Sequence, residues 1–323
     1  MWLMTMKLQF PNIIDEKGQP LTIVNANSVD INSSYKQLTD TATIILPRNA
    51  DLFKKYSIRE LFKADDPVLI ELGYDEQNEH EFEGYIAHVS ADIPVVIKCE
   101  NEMRKVKALP VNYSNKSVTL EKLLKDICPG YEIDALEGVA LGSVRFPKTT
   151  VGKVLEKLQT DSNLYTYMKG KQIVCGKYYA DDSAIEAVEF DLERAVVENS
   201  LQYKNKEDVV LKISASSLLV NGQKLEFEFG EEGGDVMKLS YFNITAKAEL
   251  EKKVKEDYAK AHRDGWDGTI TVFGKPRMQH GMKVTLYSEL YPDRNGTYYV
   301  DGVSKKFDEN GYRQVITLGG KVS

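Results

Sequence analysis

The residues able to do chemistry are scattered along the 323-residue chain. Histidine occurs at His80, His88, His262 and His280, and His80-Glu81 lacks the second histidine that a zincin helix places one turn further on. Two metal ligands on one helical face are therefore not available. His88 falls inside an alternating run and reads as a packed or surface histidine. Gly142-Ser143 lacks the second glycine of a G-x-S-x-G elbow, the strained turn that exposes a nucleophilic serine. Gly152-Lys153 has no glycine-rich run ahead of it, so no phosphate cradle forms. The pairs Asp65-Asp66, Asp181-Asp182 and Glu231-Glu232 are of the type that supplies acid and base to glycoside cleavage, yet neighbours in sequence diverge in space, and they read as solvated loops. Cys99, Cys128 and Cys175 are odd in number, far apart and without a C-x-x-C pair, which points to buried free thiols rather than a disulfide framework or a zinc site. The sequence predicts no catalytic residue, no metal and no cofactor. A site assembled from distant residues stays open at this level.

Composition narrows the class further. With 42 Lys+Arg against 49 Asp+Glu the formal net charge is −7, which opposes a surface built to neutralise nucleic-acid phosphates. Tyrosine is abundant, 18 residues beside 11 Phe and 2 Trp, and together with frequent Val, Ile and Thr it favours half-buried strands. No 18 apolar residues run together, so no membrane span is expected. The opening Met1 to Met6 is too short for a signal-peptide core and meets Lys7 at once.

The elements that would have to position any site are mostly strands. Over 1–108, Val68, Ile70, Leu72 and Tyr74 alternate, a polar stretch 75–81 turns the chain, Phe82 to Val89 follows, and Val95, Ile97 and Cys99 complete a three-stranded meander. Ser57 to Glu60 has capping-box spacing for a short helix. Over 109–198 the spacing of Leu120, Leu123, Leu124 and Ile127, and of Val151, Val154, Leu155 and Leu158, predicts two amphipathic helices. Strands at 165–168 and 172–175 joined by Lys169-Gly170-Lys171 complete a small α/β unit. Over 199–323 strands return. Asn221-Gly222 between apolar runs signals a hairpin. A long helix capped by Thr245 runs to about 262, with Ala246, Leu250, Val254, Tyr258 and Ala261 as a narrow stripe and Glu249/Lys253, Glu251/Lys255 and Glu256/Lys260 as i,i+4 pairs. A second meander closes the chain. Fourteen residues separate Val68 from Phe82 and Val284 from Tyr298. Two copies of one barrel-forming unit would give this spacing, and so would two unrelated meanders.

Read in order, Leu38 to Pro47, Ile70 to Tyr74, Phe82 to Ile86, Val95 to Glu100, Gly268 to Pro276, Gly281 to Val284, Gly296 to Val300 and Gly311-Tyr312 resemble the late control D, or baseplate hub, family of contractile-tailed phages. The likeness extends to the hub part of type VI secretion spike proteins. It implies a mainly β fold with α+β parts, in which two tail-tube-like antiparallel β-barrel domains, 1–108 and 199–323, flank a small α/β domain, 109–198. It implies a structural protein without enzymatic activity, a homotrimer forming a pseudo-sixfold ring that joins the tail tube protein to the central spike protein among other baseplate proteins. The place implied is the virion tail baseplate, assembled in the bacterial cytoplasm, and a negative charge would suit a lumen that DNA crosses without sticking. Helix 245–262 with Lys253 and Lys255, the turn 75–81 with Tyr74 before it, and the turn 291–297 with Tyr291 are the candidate assembly contacts. Reversing the charge of Lys253 and Lys255 is expected to weaken assembly if that helix is an interface. A cell-wall glycan hydrolase using a carboxylate pair, or a cell-surface binding module with an exposed aromatic groove, are the competing expectations.

Overall fold

A computed structural model of the chain describes residues 2–322 apart from 16, 48–60, 91–93, 178, 180–185, 220 and 222. The expected capping box Ser57 to Glu60, the acidic pair Asp181-Asp182 and Gly222 lie outside the described residues.

Seven strands come first: β1 (Met4–Ile14), β2 (Pro20–Ile23), β3 (Ser28–Ser34), β4 (Thr41–Leu46), β5 (Pro67–Tyr74), β6 (Gln77–Val89) and β7 (Val95–Glu100). Alternation writes them. In β5 Val68, Ile70 and Leu72 are buried while Leu69 and Glu71 are half-buried. Each fully buried side chain of this kind stabilises by about 1.5–3 kcal/mol, and a slip of one residue would expose the whole set. The expected polar turn 75–81 shrinks to Asp75 and Glu76, whose φ values of 52° and 64° make the tight primed turn that matches strand twist. Polar residues from Gln77 onward continue as strand, laddered to β5 from Gln77 opposite Tyr74 to Tyr85 opposite Pro67.

The middle stretch follows its helical and strand periodicity closely. It holds α1 (Met103–Ala108), β8 (Pro110–Thr119), α2 (Leu120–Ile127), β9 (Glu132–Ala135), β10 (Ala140–Thr150), α3 (Val151–Ser162), β11 (Thr166–Lys169) and β12 (Gln172–Cys175). Thr119 Oγ1 accepts from the Lys122 N–H at 3.3 Å and starts α2, which buries Leu120, Leu123, Leu124 and Ile127. Asn163, at φ 51°, closes α3. β8 and β10 form a two-stranded ribbon, and β9 runs parallel to β12.

The remainder contains β13 (Val188–Asp191), β14 (Val196–Asn199), β15 (Gln202–Lys204), β16 (Leu211–Leu218), β17 (Lys224–Gly230), β18 (Asp235–Phe242), α4 (Lys247–Ala261), β19 (Gly265–Asp267), β20 (Thr269–Phe273), β21 (Lys283–Tyr287), β22 (Gly296–Asp308) and β23 (Gly311–Lys321). The Asn221-Gly222 signal does mark a hairpin, β16–β17, but its loop spans five residues beyond the last ladder pair Leu218 and Lys224. Thr245 does not cap the long helix. The N-cap is Ala246, without a side-chain hydrogen bond, and Ala246 is exposed rather than part of the buried stripe.

Thirteen strands join in one sheet, in the order β14-β20-β23-β22-β3-β4-β7-β6-β5-β1-β2, with β21 on β22 and β13 on β21. Its two halves repeat an arrangement. β1-β5-β6-β7-β4-β3 in the first half corresponds to β13-β21-β22-β23-β20-β14 in the second, in the same chain order. One pairing differs: β1 is antiparallel to β5, whereas β13 is parallel to β21. The 14-residue spacing does not reflect a shared register, since Val68 faces Gly84 while Val284 faces Tyr298. Each half has its own apolar core. The sheet nonetheless continues between them where the edge strand β3 pairs with β22, from Ser34 opposite Gly302 to Val29 opposite Phe307. Between β14 and β20 a separate three-stranded sheet, β17-β16-β18, carries α4 on one face through Leu250 and Val254, and the β15–β19 pair forms its stalk.

Candidate functional site

The polar residues gathered most closely lie where both halves meet the middle stretch. A cavity of about 560 Å³ opens there, walled by β6, by the β11–β12 turn and by residues 277–282. Its base is ionic. Glu81, with a side chain 1% exposed, accepts from Arg277 Nε at 3.0 Å, from the Tyr312 hydroxyl at 2.9 Å, and from Lys305 Nζ. Burial pulls the Lys305 ammonium below its ordinary value against the raising effect of Glu81. The Tyr312 phenol is pushed up, by burial first and then by the Glu81 charge. These residues come from positions 81, 277, 305 and 312, with no local motif to announce them.

Two further groups in the cavity wall have weakened ionisation. Burial pushes the Asp40 carboxyl up to about 6 despite hydrogen bonds, including one from Asn101 Nδ2 at 3.1 Å. Burial pushes the His280 imidazole down to about 4, and its ring meets Tyr167 edge-on at 4.7 Å. The other carboxylates are engaged. Both Glu102 oxygens accept tyrosine hydroxyls, Tyr85 at 2.6 Å and Tyr131 at 2.9 Å, and Glu83 lies 3.9 Å from His80 at the rim. An acid raised in pKa is present, but Glu81 and Glu102, which also line the cavity, are already hydrogen-bonded to Arg277, Lys305 and Tyr312 and to Tyr85 and Tyr131. Among the described residues no group of three or more His, Cys, Asp or Glu could hold a metal ion. The three cysteines are buried and free, their thiols pushed up to about 12 by burial. No helix among the described residues is long and apolar enough to cross a membrane.

The residues singled out by sequence sit on separate elements. Lys253 is on the outer side of α4, 3.8 Å from Glu256, and Lys255 lies 5.6 Å over the Phe229 ring. Tyr74 is buried: its hydroxyl donates to the Tyr312 carbonyl at 2.6 Å and accepts from the Gly274 N–H at 3.1 Å, tying the β5 end to the second half. Tyr291 is half exposed, with the Arg294 guanidinium 4.4 Å over its ring. Asp65 is ion-paired to Arg104 at 2.8 Å and Asp66 accepts the Lys63 N–H at 3.2 Å, so that acidic pair serves a turn. The outer edge of β14 has no strand partner among the described residues, and Val197 on it is 52% exposed.

No family model and no curated protein matches this sequence. Solved structures do. A tail protein from Neisseria meningitidis MC58 superposes with a TM-score of 0.65 at 14% identity, covering 99% of this chain and 97% of that one. The 43 kDa tail protein of prophage MuSo2 from Shewanella oneidensis gives 0.64 at 12%, covering 97% of each chain. The E. coli c3393 protein, a type VI secretion component described as similar to the T4 tail proteins gp27 and gp5, gives 0.58 at 10%, covering 98% of this chain and 77% of that one. A mainly β chain with a large antiparallel sheet thus shares over nearly its whole length the fold of phage tail proteins and of a type VI secretion component.

Proposed function

We propose that the chain is a structural hub of a contractile tail or a related injection system, acting through assembly and without catalysis. In this reading three copies form a pseudo-sixfold ring between the tail tube and the central spike, at the baseplate of the virion. The parts are the strand-rich stretch 1–108, the α/β stretch that follows it, and a second strand-rich stretch that starts with β13 and β14, ahead of the boundary at 199 expected from sequence. A chain of the Francisella PdpA-VgrG complex shares the fold at a TM-score of 0.51 and 11% identity, covering 98% of this chain and 52% of that one, which fits a partner-bound role.

The observation that carries the ring is the seam. Within one chain the edge strand β3 of the first half pairs onto β22 of the second. The repeat makes β14 the counterpart of β3 and β6 the counterpart of β22, and β14 is left at an edge. Repeating the seam between copies sets β14 of one chain against the C-terminal end of β6 of the next, past Tyr85 where its ladder with β5 stops. Such a head-to-tail contact closes into a ring and covers an edge that otherwise invites aggregation. Val197→Lys tests this by placing a charge on the exposed edge, at a cost to the monomer within about 0.5 kcal/mol. Loss of trimers on co-expression with tube and spike proteins is the expected result. Trimers formed as readily as by the unmodified chain would remove β14 from the interface.

A further inference from the structure

Charge is unevenly placed on this molecule. The β8–β10 ribbon contains no Asp or Glu, in a chain of net charge −7. Val111, Val118, Leu141 and Phe146 point inward, while Ser114, Lys116, Ser143 and Arg145 are exposed, with Arg145 opposite Ser114. Lys148, in the irregular stretch between Phe146 and Thr149, and Lys153, in the first turn of α3, add two exposed cations at the ribbon's end. None of these four is ion-paired with a described residue. Elsewhere in the same stretch pairing is common, as in Lys122 with Asp126, Lys157 with Asp161 and Lys177 with Asp134. Cations beside hydroxyl donors, with no carboxylate among them, form a surface that needs an anionic partner.

A matching surface stands at the far end of the β17-β16-β18 sheet. Glu207, Asp208, Glu231, Glu232 and Asp235 are all exposed there. The end is well ordered by its backbone: Asp235 N–H donates to the Val210 carbonyl at 2.9 Å and Glu231 N–H to the Leu211 carbonyl at 3.0 Å. Among these acids lie two exposed apolar side chains, Val210 and Val236, 44% and 58% exposed. An apolar centre with a charged rim is the anatomy of a protein-docking surface, and its acids repel polyphosphate. This end cannot fold back on its own ribbon. Leu218, at the other end of β16, packs on the middle core, and the eight residues of the strand separate the two ends by about 23 Å.

We propose that the basic β8–β10 ribbon of one copy docks on the acidic, apolar-centred end of the three-stranded sheet of a second copy. The contact is head-to-tail and uses neither β14 nor β6, so it stands or falls apart from the seam. Sedimentation of the full-length chain tests it. Self-association is expected at about 0.1 M salt and should weaken about tenfold or more at about 1 M, where the screening length falls from about 10 Å to about 3 Å. Lys116→Glu with Arg145→Glu and Lys148→Glu should weaken it comparably, as should Glu231→Lys with Glu232→Lys and Asp235→Lys, with unchanged circular dichroism. A chain carrying both sets should regain it, and a Val197→Lys chain should keep it. The idea is overturned if the doubly reversed chain associates no better than the single sets, or if the unmodified chain stays monomeric. It is equally overturned if the ribbon set alters only binding to duplex DNA or anionic vesicles.

Discussion

The two junctions of this molecule are built from opposite materials. Where the halves of the large sheet meet, the ladder β3–β22 is continuous, and beneath it Glu81 is held by Lys305, Arg277 and Tyr312 away from water. Where the three-stranded unit meets the middle stretch, Leu218 and Phe242 pack on the middle core and the hydrogen bonds come from side chains: Asn163 to the Lys238 carbonyl and to Ser240 Oγ, both at 3.2 Å, Lys224 to the Asp161 carbonyl at 3.0 Å, and Asn243 to the Gly138 carbonyl. The first junction couples its parts into one cooperative body. The second lets its parts keep separate stabilities, as local opening free energies follow the density of buried contacts.

The largest test of that contrast is Glu81→Gln, which leaves Lys305 buried without an anion and should destabilise the sheet by about 3–5 kcal/mol. Amide exchange followed in urea over β4–β7 and over β20–β23 reports each half separately. Coincident transitions are expected before and after the change, and separate ones would show that the halves fold independently. The next effect is a cancellation. Asp40, raised from 3.8 to about 6, costs stability progressively as pH rises through that window, while His280, lowered from 6.5 to about 4, costs stability as pH falls through nearly the same one. Relative to the unmodified chain, Asp40→Asn should lose stability on acidification from pH 6.5 to 4, and His280→Gln should lose it on raising pH from 4 to 6, by up to about 3 kcal/mol each. Parallel pH profiles for all three chains would refute the burial assigned to both groups. Smallest is Asn163→Gly, which removes the side chain's hydrogen bonds at the second junction, to the Lys238 carbonyl and to Ser240 Oγ, and keeps the left-handed conformation that closes α3. A loss of about 1 kcal/mol is expected, visible as faster amide exchange in β16–β18 and unchanged exchange in the large sheet. Equal acceleration in both would erase the distinction between the junctions.

Much of this architecture is legible in the chain because it is local. Alternation in 68–74 and 95–100 and helical spacing in 120–127 are signals a single segment carries, and those elements stand where they were expected. Polar residues 77–81 read as turn because pattern reports apolar burial, and the buried side chain in this stretch is the ion-paired Glu81. Glu81 could not be found from sequence at all. Its partners lie 196 and 224 residues away, and the ion cluster exists only once β6 and β22 are aligned. The β8–β10 ribbon did leave a trace, an absence of acid over two whole strands, which a search for catalytic motifs passes over.

The β15–β19 stalk sets Lys204 beside Gly265 on neighbouring strands. Everything between them, the three-stranded sheet and α4 included, therefore enters and leaves the large sheet through one narrow doorway. Closing such a doorway costs little more for a long insert than for a short one, since loop entropy grows only with the logarithm of length. That makes 205–264 an insert whose two chain ends meet, so that its length bears little on how the large sheet closes.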